Sequence, residues 1–231
     1  MRKVELLSPA KNVDVAIAAI NNGADAVYIG GPAFGARKAV GNSLEDIEKA
    51  VRYAHRFYCR VFVTLNTILY DEELPEVERL IHGLYKIGVD AIIVQDPAVL
   101  KLDLPPIALH ASTQMHNYDL ERIKFLDRLG FQRVVLAREL SLAQLREIRR
   151  EVKAELEYFV HGALCVSLSG QCYMSHYLTN RSANRGECAQ PCRYQYALME
   201  EKRPGEYFPV YEENGETYIM NSRDMCMIDH V

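Results

Sequence analysis

VFVTLNTILYDEELPEVERLIHGLYKIGVDAIIVQD, residues 61–96, contains one complete folding unit. Val61 to Leu65 is a β-branched run of strand length, and Glu73 to Ile87 sets apolar residues near a 3.6 period. Gly88 follows where a left-handed helix C-cap favours glycine, and Ala91 to Val94 is a second apolar run. A strand, an amphipathic helix and a strand in that order predict parallel pairing, because parallel neighbours need a crossover connection.

The unit recurs in both directions. Further strands are expected at Val4 to Leu7, Ala26 to Ile29, Ile107 to His110, Val134 to Leu136 and Glu157 to Val160. Helices are expected at Val13 to Asn22, Leu44 to Phe57, Leu120 to Leu129 and Leu142 to Glu151, with Asn42-Ser43 and Ser141 as N-caps and Gly23 and Gly130 as C-caps. Seven units in series favour an α/β fold of the TIM type, a (β/α)8 barrel, over an open doubly wound sheet. GGPAFGAR, residues 30–37, lacks the spacing of a dinucleotide-binding loop. The eighth strand is missing, and a seven-stranded barrel would expose two edges, so the chain is expected to be the N-terminal part of a longer protein. The expected divisions are barrel units over 1–162, a cysteine-rich loop over 163–193 and a β-hairpin appendage over 194–231. The hairpin would pair Tyr207 to Tyr211 with Thr217 to Met220 around Asn214-Gly215.

A 231-residue chain with 49% apolar content is long enough for one large core. The sequence has no run of the ~20 apolar residues a membrane span requires. The start, MRKVELLSPAKNVD, has no apolar signal core, which points to the cytoplasm and to reduced thiols. A net charge of −4 excludes a globally basic surface, so nucleic acid would need a local patch. Arg181, Arg185 and Arg193, facing only Glu187, form such a patch or else an ordinary solvated loop.

That patch surrounds four cysteines, Cys165, Cys172, Cys188 and Cys192, spaced C-x6-C-x15-C-x3-C. Four thiolates suit a structural zinc or an iron-sulfur cluster, and the lack of two short knuckles leans toward the cluster. Buried structural thiols are the alternative, and they suit Cys59 and Cys226 better. A thiol peptidase built on Cys165 and His161 would leave three cysteines without a role.

Barrel chemistry stands at the C-terminal ends of strands. Asn66 and Thr67, Gln95 and Asp96, His110 to Gln114, Arg138 and Glu139, and His161 fall there. Ser8, Ser112 and Asp96 also suit helix caps, and His161 is either a backbone-bonded histidine or an acid or base beside the sulfurs. We expect His161, His110, Gln114, Arg138 and Glu139 around the reacting group. Asn66, Gln95, Arg181, Arg185 and Arg193 are expected to hold substrate.

EYFVHGALCVSLSGQCYMS, residues 157–175, resembles the signature of the collagenase-like peptidase family U32. The likeness extends through VELLSPAKN, GADAVYIGGPAFGAR, VFVTLNTILYD, GVDAIIVQD, LDLPPIALHASTQ, VVLAREL and SANRGECAQPCR, most like the branch that hydroxylates a cytidine of bacterial large-subunit ribosomal RNA. The resemblance implies a four-iron four-sulfur cluster on Cys165, Cys172, Cys188 and Cys192 and a barrel that meets RNA. It also implies a small-molecule hydroxyl donor, for which the sister tRNA branch suggests prephenate. Other readings are tRNA uridine hydroxylation, peptidase activity, and a binding subunit whose zinc only stabilises the fold.

Overall fold

The computed structural model describes residues 4–37, 41–194, 196–209 and 224–230. Seven parallel strands, β1 (Leu7–Ala10), β2 (Ala26–Gly30), β3 (Arg60–Leu65), β4 (Ala91–Val94), β5 (Ala108–Ala111), β6 (Arg133–Val135) and β7 (Glu155–Glu157), lie side by side in chain order. This is a curled half-barrel of the expected α/β type. Helices α1 (Val13–Asn21), α2 (Leu44–His55), α3 (Leu74–Lys86), α4 (Leu120–Arg128) and α5 (Leu142–Glu151) cover its outer face. Asn12, Ser43, Asp119 and Ser141 cap α1, α2, α4 and α5 through side-chain oxygens that accept a backbone N–H three residues on.

Alternation along the strands sorts the residues into two cores. Val27, Ile29, Val61, Val63, Ile92 and Val94 face the helices and meet Ile47, Ile81, Leu84 and Ile123. Each such buried side chain contributes ~1.5–3 kcal/mol against the chain entropy lost on ordering. Ala26, Phe62, Ala91 and Ile93 face inward with Leu7, Tyr28 and Ala108.

The N-terminal end of the barrel is closed by charge. Arg133, 5% exposed, donates from Nη1 to Glu5 Oε1 at 2.7 Å and to Glu157 Oε2 at 3.3 Å, and from Nε to Glu155 Oε2 at 3.0 Å. Arg60 also pairs with Glu5, and both guanidiniums lie over the Phe62 ring. Glu5 precedes the first strand and Arg133 opens the sixth, so this network spans the gap between the sheet's two edges.

Two strands differ from the sequence expectation. The first begins three residues late and runs through Pro9, which an edge strand tolerates because its N–H is not needed in the ladder. The seventh ends at Glu157 rather than beginning there, since Glu155 and Glu157, polar by composition, turn inward to Arg133. Beyond it, β8 (His161–Ala163) pairs antiparallel with β11 (Asp224–Cys226), and β9 (Ala197–Met199) pairs antiparallel with β10 (Tyr207–Pro209). The hairpin arm at Tyr207 therefore takes an upstream partner. Asn214-Gly215 and Thr217 to Met220 lie outside the described residues.

Candidate active site

The C-terminal mouth of the barrel is covered by residues 164–194, which include α6 (Met174–Thr179), and three contacts seat this segment. Glu139, after β6, accepts the Ser169 N–H at 2.9 Å and the Ser169 hydroxyl at 3.3 Å. Gly170, at φ +74°, packs so tightly on the loop after β5 that a Cβ would sit 1.9 Å from the Gln114 carbonyl oxygen. Arg185 donates to both Glu73 oxygens at 2.7 and 2.6 Å and to the Ile68 carbonyl at 2.6 Å, with its guanidinium 4.3 Å from the Tyr70 ring centroid. These contacts give Glu139 and Arg185 structural work. Arg185, expected to hold phosphate, clamps the cysteine segment to the β3–α3 connection.

The rim beneath is cross-braced. Asn66 accepts the Ala36 N–H at 2.9 Å and donates to the Ser112 hydroxyl at 3.1 Å. Gln95 donates to the Gln114 carbonyl at 3.3 Å, while its own Oε1 is buried without a hydrogen-bond partner. His110 lies deeper, edge-on to Phe62 with ring centroids 4.8 Å apart, and its Nδ1 is likewise unpartnered. Burial, with help from the Arg133 and Arg60 charges, lowers its pKa to about 3. His110 is therefore a neutral imidazole near pH 7, able to exchange hydrogen bonds but not to start as a cationic acid.

Two inward residues escaped the sequence reading. Tyr28 on β2 and Glu157 on β7 interact across the interior, with Arg37 and Arg138 acting on the same phenol. Burial, then the Glu157 carboxylate, raises the Tyr28 pKa against the pull of the two arginines. Burial likewise raises the Glu157 pKa, opposed by Arg133. A tyrosine within the apolar AVYIG run and the Glu-Leu-Glu alternation were the available signals. Arg138 stacks 4.3 Å from the Phe159 ring centroid and lines a cavity of 130 Å³ with Glu139, Leu164, Cys165, Ser167 and Ser169. A larger groove of 420 Å³ lies against α4 and contains none of the mouth residues.

His161 lies exposed on β8 and faces Cys226 in register, outside the seven-stranded sheet rather than at the end of its seventh strand. Arg181 and Arg193 are exposed on the cysteine segment. Cys192 lies near Cys165 and Cys188: burial and the Cys165 sulfur raise its pKa, Arg193 lowers it and Cys188 raises it. The Gln190 N–H points to Cys188 Sγ at 3.4 Å. Among the described residues no three His, Cys, Asp or Glu side chains stand as close as metal ligands require. The sulfurs suit a thiophilic centre in kind, and Cys192 lies near both Cys165 and Cys188.

Among the described residues no helix is long and apolar enough to cross a membrane. A family model described as Peptidase family U32 matches residues 11–231. The chain is 56% identical over 200 residues to the 23S rRNA 5-hydroxycytidine C2501 synthase of Escherichia coli (strain K12), an alignment covering 87% of this chain and 31% of that protein. It is 34% identical to the tRNA hydroxylation protein P1 of Bacillus subtilis (strain 168), over 100% of this chain and 55% of that one. Among solved structures, the U32 peptidase Mk0906 superposes with a TM-score of 0.59 at 16% identity, covering 69% of each chain, which shows a shared fold.

Proposed function

The chain belongs to peptidase family U32, and on that premise we propose that it is part of a cytoplasmic RNA hydroxylase that places a hydroxyl on C5 of a cytidine in large-subunit ribosomal RNA. The observation that carries this reading is the 56% identity with the Escherichia coli 5-hydroxycytidine synthase over 87% of the chain. The division of labour would follow the expected boundaries, with a barrel to 162, a cluster-binding segment over 163–193 and a connecting part beyond.

Cys165, Cys172, Cys188 and Cys192 would hold a four-iron four-sulfur cluster, which supplies one-electron chemistry when bound. The remaining work falls to this chain's side chains. A pyrimidine inside a helix hides C5 from any pocket, so the base must be unstacked into the mouth. There Gln95 Oε1, buried and unpartnered, would recover a hydrogen bond from an entering polar group, while His110 Nδ1 lies deeper, in the layer of Arg133. Glu157 and Tyr28, both held toward their protonated forms, are the groups able to donate or take a proton in the interior. An anionic hydroxyl donor of the prephenate kind would find the Arg37 and Arg138 charges on the same wall.

Anaerobic purification of the full-length protein tests the reading. About four irons and four sulfides per chain are expected, with loss of both iron and the modified cytidine in Cys172→Ala. Normal modification in that variant would sink the cluster assignment.

A further inference from the structure

The cysteine segment also carries exposed tyrosines that the chemistry above does not use. Tyr173 and Tyr177 are 68% and 87% exposed, and Tyr194, just past the Pro191–Arg193 turn, is 52% exposed. The backbone beneath them is locked. Ser175, fully buried, donates its hydroxyl to the Arg181 carbonyl at 2.7 Å and accepts the Ala189 N–H at 2.9 Å. Tyr194 donates its hydroxyl to the Ala189 carbonyl at 3.1 Å. The three rings thus stand on one braced platform.

Their spacing is informative. The Tyr177 N–H bonds to the Tyr173 carbonyl at 2.9 Å, so Tyr173, the N-cap of α6, lies one turn before Tyr177. Four residues of helix rise about 6 Å, so the backbone spacing of the two tyrosines is on the scale of two ~3.4 Å stacking steps of nucleic acid. The local charge is complementary to a polyanion. Between Leu164 and Tyr194 three arginines meet one glutamate in a chain whose net charge is −4, and Arg181 and Arg193 remain exposed once Arg185 is committed to Glu73.

We propose that this face is a stacking platform for unpaired RNA. Tyr173 and Tyr177 take one base between them, Tyr194 takes a neighbouring base, and Arg181 and Arg193 contact the intervening phosphates, which presents the next nucleotide to the mouth. The proposal rests on the RNA-hydroxylase reading and adds the form of the substrate. A duplex keeps its base faces covered, so the platform selects loops or single strands.

Fluorescence anisotropy of the full-length protein with a labelled unpaired oligoribonucleotide, and with its duplex, tests this. Binding of the unpaired strand is expected to exceed duplex binding about tenfold, and Tyr177→Ala should weaken it by roughly tenfold, as loss of one base stack does. Tyr177→Phe keeps the ring and should bind like the unsubstituted protein, while Arg181→Gln should lower the salt slope by about one. Unchanged unpaired-strand affinity in a Tyr173→Ala, Tyr177→Ala double variant, or equal affinity for duplex, overturns the platform. If hydroxylation persists in that variant, the function stands without it. A wild-type protein that neither modifies nor binds RNA removes the function and the platform together. A double variant that loses self-association in sedimentation yet binds RNA normally would make this a surface between copies, and the proposal would fall.

Discussion

Strand β4 and the cysteine segment sit at opposite extremes of one molecule. All four residues of β4 are buried apolar side chains clasped by neighbours on both sides. In residues 164–194 the buried side chains are Ser169, Ser175, Asn184 and Pro191, while four tyrosine and leucine side chains, Leu168, Tyr173, Tyr177 and Tyr194, stand more than half exposed. The barrel is held by surface removed from water. The segment above it is held by a few hydrogen bonds, one arginine clamp and, on the proposed function, its metal centre. Scaffold and working part thus draw on different forces and should fail separately.

The largest test strikes the barrel through Arg133, a charged side chain buried at its N-terminal end. Arg133→Leu leaves the largely buried Glu157 without its counter-charge and Glu5 with Arg60 alone, and a loss of ~3–5 kcal/mol is expected. Chemical denaturation measures it; a shift below ~1 kcal/mol would mean that water already reaches this end.

His110 gives an effect that is smaller at each pH step and has a defined sign. Its folded pKa of about 3 lies below the ordinary 6.5, so as pH falls through about 6.5 the unfolded chain takes up a proton that the folded chain refuses. Stability present above about 6.5 is lost toward about 3, at on the order of 1 kcal/mol per pH unit. His110→Phe should flatten that slope in a pH series of denaturation midpoints. An unchanged slope would mean that the imidazole is protonated within the fold.

The smallest effect on global stability, and the sharpest for the contrast, is expected from Gly170→Ala. A methyl at the Gln114 carbonyl forces the segment off the mouth, so proteolysis within residues 164–194 should accelerate and the modified cytidine should disappear. The barrel midpoint should move by less than ~1 kcal/mol, as expected for a change outside the core. Cooperative loss of both would show that segment and barrel are one folding unit.

What could be read from the sequence follows the same division. Hydrophobic periodicity located β4 to the residue because burial sets it, and periodicity with the Ser141 cap located α5. It misplaced β7, whose inward glutamates look like surface until Arg133 is known to face them. It also could not pair Arg185 with Glu73, which lies 112 residues earlier. Composition singled out the cysteines, yet nothing local announced that His161 would join a separate ribbon with Cys226. Pairings between distant residues carry no periodic signature, and the segment over the mouth is built from them.

The bond from Glu5 to Arg133 spans 128 residues. During synthesis the glutamate emerges first and must stay solvated until the sixth strand has been made. Closing so long a loop adds entropy cost that only the assembled sheet offsets, so sealing the N-terminal end belongs among the late events of folding. Until then the N-terminal ends of β1 and β7 lack the ion pairs that bring them together, which leaves these edge strands more open to pairing with other chains.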